Sequence, residues 1–332
     1  MLWSGYTLEA ADLPKIPPLG DWQMGAGVAG AKDISGARCA PPRKGAPVCL
    51  MVSDEGRSGT VFRMGDRTIV PLKEFKFLDD KIAPGTGKKL DEADLEAIDY
   101  DRGYFYATGS HALPRKSDQE QASRFFVYRI PVDASSDSLT AAAEVSAKLR
   151  QIMQKEPALG QFVGKRASKG EINIEGLAAR DGRLFFGFRE PVIDGTAYVL
   201  QVSEAALFVN NDAKKGTGKS ATLGPAHAKL HKLKLGPGIG IRDMAKLQDG
   251  FLILAGPAKD EDGPYSLHYW AGPGTGAQAL GELVLSAKAR DGKAEGLMIL
   301  RESGLAYELL VLFDGAEGGA PTEYHLTRKA AP

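Results

Sequence analysis

A short motif occurs five times along the chain, and this internal repeat restricts the fold more than any other feature of the sequence. Each copy has a polar residue, then a small or acidic residue, then an apolar run. The copies are DISGARC (33–39), DLEAIDY (94–100), INIEGLAAR (172–180), GIRDMAKL (240–247) and KAEGLMIL (293–300). They recur every 50 to 80 residues, roughly the length of one small antiparallel sheet.

Most copies are followed by a turn, and all by a strongly apolar segment that ends in small or polar residues. The apolar segments are CLMVSDE, YFYATGSH, LFFGFRE, FLILAGP and ELLVLFDG. Turns such as ARDG and LQDG between such segments are typical of β-hairpins. We therefore predict an all-β chain that forms a β-propeller of five or six four-stranded blades.

The predicted propeller is a single domain over residues 1–332. The N-terminal segment, 1–32, is expected to pack on or complete the last blade, and a sixth blade could be divided between the two ends of the chain. One segment, 137–155, instead has a helical pattern with Val145, Leu149 and Ile152 on one face and Ser138 as its N-cap. We predict one inserted helix there.

The hairpin geometry predicts that two sets of residues meet on one face of the propeller. If each motif begins the innermost strand of a blade, its start lies beside the end of the strand that returns. The residues at these positions are mostly polar, namely Asp33, Asp54, Glu55, Glu96, Ser110, His111, Asn173, Glu175, Arg189, Glu190, Arg242, Asp243, Glu295 and Asp314. Convergent polar groups in a concave place are typical of ligand sites.

Carboxylates held this close together need a cation, a shared proton or basic partners. Because Ca²⁺ prefers oxygen ligands, we predict a calcium site. The predicted ligands come from four different copies of the motif, namely Glu96, Glu175, Asp243 and Glu295. The competing interpretation is structural, with these carboxylates forming ion pairs and hydrogen bonds that tie neighbouring blades together.

The basic residues on the same face predict an anionic ligand, because the planar fork of arginine fits phosphate or carboxylate. Arg189 and Arg242 would hold the anionic group, and His111 or a carboxylate such as Glu175 would transfer protons. The predicted substrate-binding residues are Ser110, Arg115 and Asn173. The alternative is that His111 and Arg115 are ordinary polar residues of a surface loop and do not bind a ligand.

These motifs resemble a family of bacterial β-propellers of unknown function, and they are distantly similar to esterase-like phytase propellers. The matching segments are DLEAIDYD, YATGSHALPR, NIEGLAA, LFFGFREPV, GIRDMAKL, LILAGP and KAEGLMIL, within residues 33–315. The resemblance implies a propeller, often exported, with a polar axial site. Through the phytase-like relatives it also implies Ca²⁺ and phosphoester chemistry.

Two functions follow from these patterns. The first is a metal-assisted hydrolase of a small anionic substrate, most plausibly a phosphoester, with lactone hydrolysis as a variant that uses the same groups. The second is a non-catalytic propeller that binds a ligand or a protein partner on the same face. Gly36, Gly176 and Gly296 are expected to serve packing alone, since innermost strands crowd around the axis.

The net charge limits the binding partners to be expected, and the two cysteines indicate the cellular compartment. A formal net charge of zero argues against nucleic acid and against a polybasic membrane contact, and the sequence has no apolar run long enough to span a bilayer. Cys39 and Cys49 flank a turn-forming segment, which predicts a disulfide between paired strands. We expect a monomeric periplasmic or secreted protein whose signal peptide has been removed, with the cytoplasm as the second choice.

Two glycine-rich segments resemble nucleotide-binding loops but lack the required context. GAGVAG (25–30) precedes a predicted strand rather than a helix, and GTGKS (216–220) is not framed by a strand and a helix. We predict no nucleotide site at either.

Overall fold

The structure is a computed structural model and describes residues 13–329, except 28–31, 43–44, 79–89, 91, 116–119, 134–137, 167–169 and 209–226. The GTGKS loop and the last three residues of GAGVAG lie outside the described residues. The described chain forms five antiparallel sheets, which are the blades of a β-propeller. The predicted fold class is therefore confirmed, with five blades rather than six.

The strands follow one another in chain order, and each blade takes four consecutive strands except the last. The N-terminal segment contributes β1 (Lys15–Ile16), β2 (Pro18–Asp21) and β3 (Gln23–Met24). Blade 1 contains β4 (Ile34–Cys39), β5 (Cys49–Ser53), β6 (Ser58–Met64) and β7 (Thr68–Lys76). Blade 2 contains β8 (Leu95–Asp101), β9 (Tyr104–Gly109), β10 (Val127–Pro131) and β11 (Glu144–Ser146).

The other three blades follow the same plan. Blade 3 contains β12 (Asn173–Arg180), β13 (Arg183–Glu190), β14 (Thr196–Ser203) and β15 (Ala228–Lys234). Blade 4 contains β16 (Ile239–Lys246), β17 (Phe251–Pro257), β18 (Ser266–Trp270) and β19 (Ala277–Leu283). Blade 5 contains β20 (Lys293–Ser303), β21 (Ala306–Asp314) and β22 (Thr322–Thr327). The first strand of each blade is innermost and contains one copy of the repeated motif.

The N-terminal segment joins three blades at their outer edges. Strand β2 pairs antiparallel with β22 and supplies the fourth strand of blade 5. Strands β1 and β3 add short parallel pairings to β19 of blade 4 and β7 of blade 1. The ten residues from Lys15 to Met24 thus bridge the place where the ring of blades closes.

The predicted inserted helix is shorter than its sequence pattern. Helix α1 covers Lys148–Lys155, and a second short helix, α2, covers Glu204–Phe208. Ser138 forms a β-bridge with Asp133 instead of capping a helix, and Val145 lies in β11, which pairs with β10. Strand pairing at the outer edge of blade 2 therefore overrides the local helical preference of residues 138–146.

The hydrophobic core is divided among the interfaces between neighbouring blades. Five clusters of buried side chains occur, and each joins residues of two adjacent blades. Between blades 3 and 4, for example, Phe185 packs on Phe251 with 4.7 Å between ring centroids, and Phe251 stacks on Trp270. Every blade thus buries apolar side chains against both of its neighbours around the ring.

Each innermost strand contains a β-bulge at the same position of the motif. The extra residue follows Ile34, Leu95, Ile174, Ile241 or Ala294 in the pairing with the second strand. A bulge bends its strand and re-aims a side chain. The five bulge residues are Ser35, Glu96, Glu175, Arg242 and Glu295, and we call them the axial ring.

The predicted disulfide is present. Cys39 and Cys49 are directly opposite in the pairing of β4 with β5, and their sulfur atoms are bonded. Among the described residues, no helix is both long enough and apolar enough to cross a membrane.

Candidate functional site

A cavity of about 750 Å³ opens at the end of the propeller where the innermost strands begin. Its acidic lining consists of Asp54, Glu55, Glu92, Asp94, Glu96, Glu171, Glu175, Glu190, Asp260, Glu295 and Asp314. Its basic lining consists of Arg115, Arg124, Arg189, Lys259 and Lys293. With eleven carboxyl groups to five cations, carboxylates dominate the cavity, as the hairpin geometry predicts.

Glu175 is held by two arginines at the base of the cavity. Arg189 Nη1 donates to Glu175 Oε1 at 2.8 Å, and Arg242 Nε lies 3.0 Å from Glu175 Oε2. Asn173 Nδ2 also donates to Glu175 Oε1, at 3.3 Å. Arg242 reaches across the ring to Glu295 as well, so the two predicted anion-binding arginines are already engaged by carboxylates of the protein.

Glu96 occupies the equivalent bulge position but has different neighbours. Among the described residues it forms neither a hydrogen bond nor an ion pair, and its half-buried side chain contacts the cavity. Burial, followed by repulsion from Asp94 and Glu175, raises its pKa well above the ordinary value. Glu96 therefore favours its protonated form, which can donate a proton.

Three aspartates converge between blades 1 and 5. One carboxylate oxygen from each of Asp33, Asp54 and Asp314 lies within 4.8 Å of those of the other two, a spacing that could hold a cation. Asp54 Oδ1 is buried and has no hydrogen-bond partner among the described residues. Burial, then repulsion from Asp314 and Asp94, raises the pKa of Asp54 to about 7.

A further acidic group lies beside Glu96 at the start of β8. Asp94 accepts a hydrogen bond from Ser110 Oγ and pairs with Arg124 Nη2 at 2.6 Å. Its neighbour Glu92 lies 3.4 Å from Arg124 Nη1, and burial raises its pKa to about 7. Arg124 thus neutralises this side of the cavity only in part.

The structure places His111 outside the cavity. Its φ of 59° turns the ring away from the channel and next to Phe125, with 6.0 Å between ring centroids. The ring is buried, and neither of its nitrogens has a hydrogen-bond partner in the part of the chain that the structure describes. Burial, followed by the charge of Arg150, lowers its pKa to about 3. The ring is therefore neutral and does not reach the cavity.

The structure also separates Asp243 from the other predicted calcium ligands. Asp243 is buried below the cavity, where its oxygens accept hydrogen bonds from the backbone N–H groups of Met244 and Leu297 at 2.7 and 2.8 Å. Arg38 Nη2 lies 3.3 Å from Asp243, while Arg38 Nε donates to Asp99 at 3.1 Å. Of the four predicted ligands, only Glu96, Glu175 and Glu295 line the cavity.

Several lining residues escaped the sequence analysis. Those not expected on this face are Glu92, Asp94, Arg124, Glu171, Lys259, Asp260 and Lys293. Lys293 begins the fifth motif, and Lys259 and Asp260 follow the apolar segment FLILAGP, so the hairpin rule could have found them. Arg124 belongs to a 3₁₀ turn at Ala122–Phe125 outside the repeat, and no signal in the motif points to it.

A family model described as a protein of unknown function, DUF3616, matches residues 52–130 and 119–325. The chain belongs to the DUF3616 family. This agrees with the predicted resemblance to propellers of unknown function. No curated protein matches the sequence.

Solved structures resemble this member of the DUF3616 family in fold. A bifunctional GH43-CE protein of Bacteroides eggerthii gives a TM-score of 0.50 at 8% identity over 94% of this chain and 35% of its own. An exo-β-1,3-galactanase of Phanerochaete chrysosporium gives a TM-score of 0.46 at 8% identity, over 93% of this chain and 62% of its own. A glucose dehydrogenase gives a TM-score of 0.42 at 13% identity, over 96% of this chain and 100% of its own. The chain thus spans less than two thirds of the first two proteins, and none of the three is a phytase-like esterase.

Proposed function

We propose that the protein is a hydrolase of glycosidic bonds that uses Glu96 as general acid and Asp54 as general base. The observation that carries this proposal is Glu96, a carboxyl group at the propeller axis that forms no ion pair among the described residues and whose pKa is raised by burial and by neighbouring carboxylates. A pair of carboxyl groups with separated pKa values is the arrangement that acid–base hydrolysis of glycosides requires.

The two carboxyl groups suit different halves of the reaction. Glu96, whose pKa is raised well above the ordinary value by burial and by Asp94 and Glu175, can give a proton to the leaving oxygen. Asp54, with a pKa of about 7 and an unpartnered oxygen, can accept a proton from water near neutral pH. Both groups line the same cavity and lie close enough to repel each other electrostatically.

The charge of the cavity favours a glycosidic bond over a phosphoester as the bond that is hydrolysed. Hydrolysis of a glycoside passes through a cationic transition state, which surrounding carboxylates stabilise. Phosphoester hydrolysis spreads negative charge over the phosphoryl oxygens, and the same carboxylates would oppose it. Arg189 and Arg242 counter that opposition only in part, because Glu175 pairs with both of them and Glu295 pairs with Arg242. The fold shared with the GH43-CE protein is compatible with this choice.

A metal-assisted hydrolase is the second candidate, and the convergence of Asp33, Asp54 and Asp314 favours it. Three carboxylate oxygens at that spacing fit the preference of Ca²⁺ for oxygen ligands. A cation there would keep Asp54 ionised and remove it from general-base work. The residues that we expected to bind Ca²⁺ fit less well, because Glu175 and Glu295 are paired with arginines.

The cysteine pair supports an exported protein. The bond between Cys39 and Cys49 is of the kind that persists in oxidising compartments such as the periplasm or the extracellular space. We propose that the substrate is a glycan of the periplasm or the extracellular space.

The test compares leaving groups. Wild type, Glu96→Gln and Asp54→Asn are assayed on alkyl glycosides and on 2,4-dinitrophenyl glycosides, whose leaving group needs no proton. Glu96→Gln should lose about 10²–10⁴-fold on alkyl glycosides and retain most activity on dinitrophenyl glycosides. Asp54→Asn should lose activity on both, and added azide should restore it by replacing the activated water.

Glu282→Gln is the matched control, because Glu282 lies on outer strand β19 away from the cavity. The assays are run with Ca²⁺ and with a chelator, so that chelator-sensitive activity identifies the metal-assisted candidate. The acid–base proposal is wrong if Glu96→Gln loses the same factor on both leaving groups, or if only phosphoesters are hydrolysed.

A further inference from the structure

One side of the cavity carries a group of cations that the proposed acid–base pair does not use. Three of them converge on the carboxylate of Asp260, in the loop after β17. Arg115 Nη1 lies 3.1 Å from Asp260 Oδ2, and Arg189 Nη2 lies 3.8 Å from Asp260 Oδ1. Lys293 Nζ contacts Oδ1 as well. Each oxygen of this carboxylate therefore has its own cation, the pattern by which proteins recognise a planar two-oxygen anion.

One of the three cations, Arg189, is positioned independently of Asp260. Arg115 follows β9 of blade 2, Arg189 is near the end of β13 of blade 3, and Lys293 begins β20 of blade 5. Arg189 is the most fixed, since its side chain is only 6% exposed. Its Nη1 donates to Glu175 at 2.8 Å and its Nε to the carbonyl of Ala258 at 2.9 Å. The positive charge of Arg189 would therefore stay in place if Asp260 moved away.

Asp260 itself is easily displaced. Its side chain is 48% exposed, as expected in a loop whose residues 259–264 are all exposed. Its partner Arg115 is 73% exposed, and exposed ion pairs contribute only ~0–1 kcal/mol. A ligand carboxylate can replace Asp260 because it would face the same three cations and would add contacts of its own in the cavity.

We propose that Arg115, Arg189 and Lys293 form a substrate-carboxylate subsite, and that Asp260 holds the position of that carboxylate. The substrate would then be an acidic glycan with a uronic acid residue, bound so that its glycosidic bond faces Glu96 and Asp54. The glycan part of this inference rests on the proposed function. The carboxylate part rests on the contacts of Asp260 alone.

Ligand binding to the full chain tests the subsite without requiring turnover. Calorimetric titrations compare D-glucuronate and D-galacturonate with D-glucose and D-galactose, with acetate as a bare carboxylate. Wild type should prefer each uronate to its parent hexose. Asp260→Asn should bind uronates about fivefold more tightly, which corresponds to loss of a competing ion pair of ~1 kcal/mol, and should leave hexose binding unchanged.

Two further variants sharpen the comparison. Lys293→Gln should remove most of the preference for uronates, because it deletes a cation of the subsite. Asp262→Asn is the matched control, since Asp262 is exposed in the same loop and does not line the cavity. Its affinities should equal those of wild type, and circular dichroism checks that every variant is folded.

Two results would overturn the subsite. One is equal affinity of Asp260→Asn for uronates and hexoses, including absence of binding to both. The other is acetate binding as tight as uronate binding, which would indicate a simple anion site. Neither result bears on the proposed acid–base pair, which fails separately if the glycoside assays of Glu96→Gln and Asp54→Asn give the opposite outcome.

Discussion

The axial ring shows that the neighbours of a carboxyl group, rather than its place in the motif, determine its chemistry. Glu96 and Glu175 occupy the same bulge position in blades 2 and 3. Two arginines and Asn173 contact Glu175, whereas Glu96 forms no ion pair among the described residues, and burial and neighbouring carboxylates raise its pKa. The same backbone device thus supplies a fixed anion in one blade and an acid in the next.

The raised pKa of Glu96 predicts a cost to stability that depends on pH. A folded-state pKa above the unfolded value means that stability is fully present below the ordinary pKa of 4.5 and is lost as pH rises through the folded pKa. Glu96→Gln cannot ionise and avoids this loss. We therefore expect the variant to melt at a higher temperature than wild type at pH 9, and at nearly the same temperature at pH 4.

Thermal unfolding at pH 4, 7 and 9 measures this difference, with Glu282→Gln as the control. Glu282 is paired with Lys15 on the surface, so its substitution should not stabilise the protein at any of these pH values. A wild type that melts above Glu96→Gln throughout the range would show that Glu96 has an undetected basic partner.

At the scale of strands and helices, the sequence predicts what is local and periodic. The motif and its hairpin correctly identify every innermost strand and the strand that returns beside it. They cannot predict that residues 144–146, which fit a helical pattern, form a strand instead. That outcome depends on pairing with the free edge of β10, which is separate in the sequence. Likewise the left-handed backbone at His111 and the placement of Arg124 depend on tertiary packing that no motif encodes.

The glycines of the innermost strands are not equivalent, and the structure predicts different costs for their substitution. An alanine Cβ at Gly240 would lie 2.2 Å from the carbonyl oxygen of Arg189, a backbone clash that cannot relax easily. An alanine Cβ at Gly36 would meet Ala97 and Ile98 at ordinary contact distances of 3.5 Å. We expect Gly240→Ala to cost about 3 kcal/mol and Gly36→Ala to stay within ~1 kcal/mol of wild type.

Urea denaturation of the two variants measures these costs directly. Gly240→Ala should also disturb Arg189 and therefore weaken ligand binding in the cavity, whereas Gly36→Ala should not. Equal destabilisation by both substitutions would show that the innermost strands shift together to make room, and would contradict the crowding derived from these distances.

At the scale of the whole molecule, one arginine joins all five blades beneath the cavity. Arg38 on β4 pairs with Asp99 on β8 and with Asp243 on β16. Asp99 accepts the backbone N–H of Ala179 on β12 at 2.7 Å, and Asp243 accepts that of Leu297 on β20 at 2.8 Å. This network explains why position 243 carries an acidic residue although it does not line the cavity. The carboxylate of Asp243 links blade 4 to blades 1 and 5.

Removing Arg38 should therefore destabilise the ring as a whole. Arg38→Met leaves the buried carboxylates of Asp99 and Asp243 without their cation, and breaking a buried pair in this way costs ~3–5 kcal/mol. The pKa of Asp243, raised by burial to about 7 even with Arg38 beside it, would rise further. The two aspartates would then take up protons as pH falls, so the loss should be larger at pH 8 than at pH 5.

A triple variant, Arg38→Met with Asp99→Asn and Asp243→Asn, separates charge from packing. It removes the uncompensated carboxylates and should recover at least half of the stability lost in Arg38→Met, with little dependence on pH between 5 and 8. Urea denaturation followed by circular dichroism at pH 5 and pH 8 measures the free energy of unfolding of wild type, Arg38→Met and the triple variant. If Arg38→Met is as stable as wild type, or if the triple variant is less stable than Arg38→Met, the five blades are held by their apolar interfaces and not by this network.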